Sequence, residues 1–210
     1  AGTDASGDGN NYDPALVAVN LDGTFTNADA TVLTIGGAEP SQAFKAMTFD
    51  AGNQLFVSMR DAGNTQSQLL RVDAATGALT NLGLIQVAGT DTLVDGLAFS
   101  EDSEGNAMLV GLDNSAGGSR LIRINTSTAS GTAMCQPGGV VTTGVLASYT
   151  EPGSDRPLLY TIAGNRLIRG SAVTLPLTDG ASAVLNISAA DFHPDDDLLY
   201  FVARDNQNDS

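Results

Sequence analysis

In 210 residues the chain has one cysteine, one histidine, one lysine and no tryptophan. With Cys135 alone, no intrachain disulfide can form, and every paired-cysteine zinc or redox motif is excluded. With His193 alone, a multi-histidine metal centre is excluded. No GxSxG elbow places a serine for a Ser-His-Asp triad. Eight arginines and Lys45 face 20 aspartates and four glutamates, so the formal net charge is −15. A surface of that sign repels phosphate backbones and anionic lipid, which argues against a nucleic-acid partner. No run of 18 apolar residues is present, so no membrane insertion through a helix is expected. No secretory leader is legible, and a chain opening on Ala1 reads as a mature or trimmed product. The acidity and scarcity of lysine point to an extracellular or cell-surface location, the periplasm included.

What is present is repetition. Residues 46–73 hold MTFD, LFVSMRD and LLRVD, and residues 96–125 hold GLAFSED, MLVGLD and LIRIN. Residues 145–171 hold VLASYTE, LLYTIAG and LIRGS, and SAADFHPDDD followed by LLYFVARD begins at residue 188. Aligning Phe49, Phe99, Tyr149 and Phe192 gives a period of roughly 50 residues. Short apolar runs bounded by Gly, Asn and Asp are strand signals, and helical periodicity is missing. The turns DAATG and NTSTASG begin with Asp or Asn, which bonds its own backbone, and each carries a Gly that would supply positive φ. A period of this kind, built from such runs, predicts an all-β fold: a β-propeller of about four blades, each of four antiparallel strands.

The last copy stops after its second strand. LVAVNLDGTFTNADATVLT, residues 16–34, matches a third and fourth strand, so N-terminal strands are expected to complete the C-terminal blade. The expected organisation is a flexible acidic segment over 1–13 and one propeller domain over 14–210. Two further arrangements stay open. The N-terminal strands could complete a neighbour's blade, or the chain could be a piece of a seven- or eight-bladed propeller.

FSED at 99–102 and FHPDDD at 192–197 resemble the Phe-Ser-Pro-Asp-Gly turn of secreted propellers of the NHL, YVTN and TolB-like kinds. LLRVDAATG at 69–77 is similar to a signature of bacterial surface propellers. The resemblance covers about residues 16–202. Such relatives include binding platforms, scaffolds, lactonases and phytases, so it implies a fold more than an activity. The third copy departs from the pattern, with Ala-Gly-Asn at 163–165 where the others carry an acid.

Several residue sets carry candidate chemistry. Asp4, Ser6, Asp8, Asn10 and Asp13 alternate oxygen side chains around Gly, as in the first half of an EF-hand loop, and calcium is the cation such a loop would take. The bidentate Glu of that pattern is replaced by Ala15, so a plain acidic terminus explains the segment equally well. Asp61, Asp113 and Asp205 follow second strands, and a propeller would gather them on one face as interaction loops; alternatively each caps its own turn. Arg71, Arg123 and Arg169 recur in third strands, where an arginine snorkels or pairs with an acid. His193 and the run Asp195 to Asp197 read as a turn, and Cys135 as a small buried residue.

The composition favours a non-enzymatic module that binds a protein partner or assembles with itself. The alternative is a calcium-dependent propeller hydrolase, lactonase- or phytase-like, with Asp50, Asp95 and Asp191 as cation ligands.

Overall fold

A computed structural model describes residues 14–16, 30–115, 118–135, 146–150, 157–163, 166–169, 172–176, 186–192 and 199–204. These residues are all-β, with no helix among them. Two short strands, β1 (Ala15–Leu16) and β2 (Thr31–Val32), form an antiparallel pair. Then come three antiparallel four-stranded meanders. The first is β3 (Phe44–Phe49), β4 (Leu55–Arg60), β5 (Ser67–Val72) and β6 (Leu79–Leu84).

A small hairpin, β7 (Gln86–Val87) and β8 (Thr90–Asp91), precedes the second meander: β9 (Val94–Glu101), β10 (Ala107–Asp113), β11 (Arg120–Ile124) and β12 (Ser130–Cys135). β7 pairs in parallel with β12, so the hairpin covers part of that meander's outer edge. Ala88 and Gly89 form its turn with φ of 51° and 78°, the conformation a two-residue hairpin requires. The third meander is β13 (Leu146–Tyr149), β14 (Leu158–Ala163), β15 (Arg166–Arg169) and β16 (Ala172–Pro176). β17 (Asn186–Phe192) and β18 (Leu199–Arg204) form a sheet of two strands.

The ladders confirm the period read from the aromatics. Each aligned aromatic pairs with a leucine of the next strand: Phe49 with Leu55, Phe99 with Leu109, Tyr149 with Leu158 and Phe192 with Leu199. A bulge recurs as well. Lys45, Asp95 and Ser188 are each the unpaired extra residue near the start of a first strand, four residues before the aromatic. A second bulge in the fourth strands leaves Leu82, Met134 and Thr174 unpaired. Repetition of both irregularities shows that these are copies of one structural unit.

Successive units pack face to face. β4 reads LFVSMR and is buried on both faces. Phe56 joins Leu69, Val94, Leu97, Leu109 and Ile122 in the core between the first and second meanders. On the opposite face Leu55, Val57, Met59, Leu70 and Val72 pack under Leu16, Leu33 and Ile35 of the N-terminal segment. Val110, Leu112 and Leu121 of the second meander pack with Leu146 of the third. The first strands follow one another in space, β3 beside β9, β9 beside β13 and β13 beside β17.

One expectation needs revision. In NTSTASG the residue with positive φ is Ala129 (57°), not Gly131, because Ala129 N–H donates to Asn125 O as Gly77 N–H does to Asp73 O. β1 pairs with β2, and no ladder joins it to β18 among the described residues; residues 17–20 of the expected third strand lie outside them.

Candidate functional site

The start of the first strands is where polar groups gather. Arg60, at the end of β4, is 5% exposed and reaches across the seam between units to Asp95, the bulged residue of β9. Its other guanidinium nitrogen donates to Ser67 Oγ at 2.7 Å, and Ser67 Oγ also accepts from Val94 N–H at 2.8 Å. Asn114 Nδ2 donates to the second Asp95 oxygen at 3.0 Å, and Ser119 Oγ donates to Asn114 Oδ1 at 2.7 Å. The bulge explains the geometry: it re-aims residue 95 out of the strand's alternation, so its carboxylate meets groups from two units. A buried charge of this kind is tolerable only when paired and hydrogen-bonded, as here.

Next to this lock, and before β3, lies an open cleft of about 430 Å³ lined by Ser41, Gln42, Lys45, Arg60, Asp61 and Asn64. Lys45 stands at the bulge of β3, the position that Asp95 holds in the next unit. The cleft is therefore the counterpart of the Arg60–Asp95 seam, and among the described residues no other repeat unit lines it.

The same asymmetry continues along β3. Met47 is 62% and Phe49 53% exposed, although both lie on rungs with Val57 and Leu55, whose side chains are buried. Leu16, Leu33 and Ile35 of the N-terminal segment cover this face together with Phe44 of β3, and Met47 and Phe49 lie outside that cluster. Leu33 N–H donates to Pro14 O at 2.8 Å within the pair, and two bonds pin the segment to the first meander: Thr34 N–H to Gly77 O at 3.0 Å and Leu79 N–H to Thr34 O at 2.7 Å.

The predicted interaction-loop residues fall in different settings. Asp61 folds back on its own loop: one oxygen accepts from Thr65 and Gln66 amides at 2.6 and 2.9 Å, the other from Gly63 N–H and Thr65 Oγ1. The Gln66 amide leads in holding its pKa down, to about 2. Asp113 is fully buried and accepts from Leu93 and Ser115 amides, each at 2.9 Å, and from Arg120 Nε at 2.7 Å. Burial opposes its ionisation, but the Ser115 amide, Arg120 and the Leu93 amide overcome this and hold its pKa below the usual range. Counted from the aromatic–leucine rungs, Asp113 sits two places before the position of Asp61, so the two are not register equivalents.

Asp205 lies outside the described residues, as do Asp4, Ser6, Asp8, Asn10, Asp13, His193 and the run 195–197. Among the described residues no three His, Cys, Asp or Glu side chains are placed to hold a metal ion. Nor is any helix of theirs long and apolar enough to cross a membrane.

Of the acids considered as cation ligands, Asp50 caps its own turn by accepting from Gly52 and Gln54 amides. Asp50 and Asp95 sit at opposite ends of neighbouring first strands, roughly 17 Å apart along a strand, so they do not converge. Asp191 lies between these ends, paired through its backbone with Tyr200. Arg123 stands 3.6 Å from Asp102 of its own meander, a half-exposed pair.

Sequence reasoning missed Arg60 and the bare pair Met47 and Phe49. The available signal was the disagreement between copies: Lys45 stands where the next copy has Asp95, and Arg60 where it has Asn114.

No family model matches the chain, and no curated protein does. Among solved structures the chain is similar to a "putative exo-beta-1,3-galactanase from Bifidobacterium bifidum s17", at 9% identity and a TM-score of 0.56, covering 93% of this chain and 74% of that one. It is also similar to the Dos1 propeller, at 16% identity and a TM-score of 0.41, covering 85% of this chain and 44% of that one. At such identities the first likeness is one of all-β fold alone.

Proposed function

We propose that the chain is a non-enzymatic extracellular β-propeller of four four-stranded blades, serving as a binding or structural/assembly module. The observation that supports this reading is the pair of two-stranded sheets, β1–β2 and β17–β18, that flank the four-stranded meanders. β17–β18 repeats the first two strands of a unit, including the bulge at Ser188 and the Phe192–Leu199 rung. Leu16, Leu33 and Ile35 of the N-terminal segment pack on the first meander, where the outer half of a preceding blade belongs. On this reading β17–β18 would be the inner half and β1–β2 the outer half of one blade. The well-satisfied Asp61, Asp73 and Asp102 turns support a rigid platform whose loops are held by their own backbone amides. The net charge of −15 fits an exposed role away from nucleic acid and anionic lipid.

Removing residues 1–34 tests the reading. Leu16 and Leu33 leave with that segment, uncovering Leu55, Val57 and Leu70. The expected result is a melting temperature lower by roughly 10 °C and new binding of an apolar dye. An unchanged melting temperature overturns it.

A further inference from the structure

Taking the split fourth blade as the premise, we infer that two copies of the chain join head to tail, with β17–β18 of one seated on the bare face of β3 in the next. The seam between the first and second meanders is the template. There Leu97 is 3% exposed, and the Phe99 ring packs 5.6 Å from Phe56 of the preceding unit. Met47 and Phe49 hold the same two positions in the first meander, both more than half exposed. The register position of Phe56, opposite the residue before the aromatic, is occupied in the last unit by Tyr200. An aromatic is therefore available in sequence for the place that Phe49 leaves open.

The occupant is a second copy because the chain's own β17–β18 lies beside β13 while Met47 and Phe49 stay exposed. Each chain then presents β17–β18 as donor and the face of β3 as acceptor. Such a contact is heterologous: it closes as a ring of two chains or continues as a filament. β1, paired with β2 alone among the described residues, would give the incoming β18 a strand edge for backbone pairing.

The ionic lock is not repeated at this seam. Register places Lys45 where Asp95 stands, and Arg204 where Arg60 stands. Two cations in place of an ion pair weaken the contact and make it reversible. Lys45→Asp restores the carboxylate, and it does so while making an already acidic chain more negative.

The test is solution mass against concentration, by light scattering with size separation, for the wild type, the double variant Met47→Ser/Phe49→Ser and Lys45→Asp. Melting temperature is recorded for each. The expected result is concentration-dependent association of the wild type. The double variant should be weakened at least ~100-fold with its circular dichroism unchanged, and Lys45→Asp tightened roughly tenfold. A wild type that stays at 21.4 kDa, with a double variant that melts lower, means the blade closes within one chain; the inference fails and the four-blade reading stands. A wild type that stays monomeric, with a double variant that melts the same, sinks both. Association that the double variant leaves intact uses another surface and also overturns the inference.

Discussion

At the scale of single residues, nearby backbone amides hold the acidic turns, while Arg60 and Asp95 hold the seam between two units. Asp or Asn opening a turn predicted self-capping, and Asp50, Asp73, Asp102 and Asn125 each accept from a backbone amide two residues on. Partners so close in sequence need no tertiary fold to bring them together. Arg60 and Asp95 are 35 residues apart, and nothing in either segment announces the other. Asp61 yields a pH prediction. Its folded pKa is depressed from 3.8 to about 2, so the stability it contributes is present above the unfolded value and lost as pH falls through the folded one. The amide resonances of Thr65 and Gln66, followed by NMR between pH 5 and 1.5, should titrate with a midpoint near 2. A midpoint near the unperturbed 3.8 would mean that these bonds do not hold the carboxylate in solution.

At the scale of elements, the repeat carried most of the information. Four aromatic–leucine rungs followed directly from aligning Phe49, Phe99, Tyr149 and Phe192, because a strand's period of two makes register and pattern the same statement. The bulges at Lys45, Asp95 and Ser188 were not legible: an extra unpaired residue leaves no mark on composition. Gly77 shows a turn residue acting beyond its turn. Its φ is +72°, and a Cβ there would stand 2.0 Å from Val32 O. Gly77→Ala should therefore push β2 off the start of β6 and cost about 2 kcal/mol. Faster hydrogen exchange at Thr34 and Leu79, with β9–β12 unchanged, is the expected signature. Uniform loss of protection would instead place the damage in the whole fold.

At the scale of the molecule, charge opposes the contact that shape permits. Association at the bare face of β3 brings together chains of net charge −15 and sets Lys45 against a second cation. Both terms are repulsive, and salt screens both. Raising ionic strength from about 0.05 to 0.5 M should therefore tighten association, as read by sedimentation equilibrium, since the apolar term of Met47 and Phe49 is not weakened by salt. Association that loosens with salt would mark a contact held by ion pairs.

The all-β class, the period, the strand pairs within each unit and the self-capped turns were all determined by the sequence alone, because each rests on contacts between residues near one another in the chain. Tertiary structure alone decided which polar residues share a seam, where bulges aim Lys45 and Asp95, and which apolar face stays bare. Those outcomes depend on what lies on the other side of a sheet, and a chain's local pattern records that a face is apolar without recording what covers it.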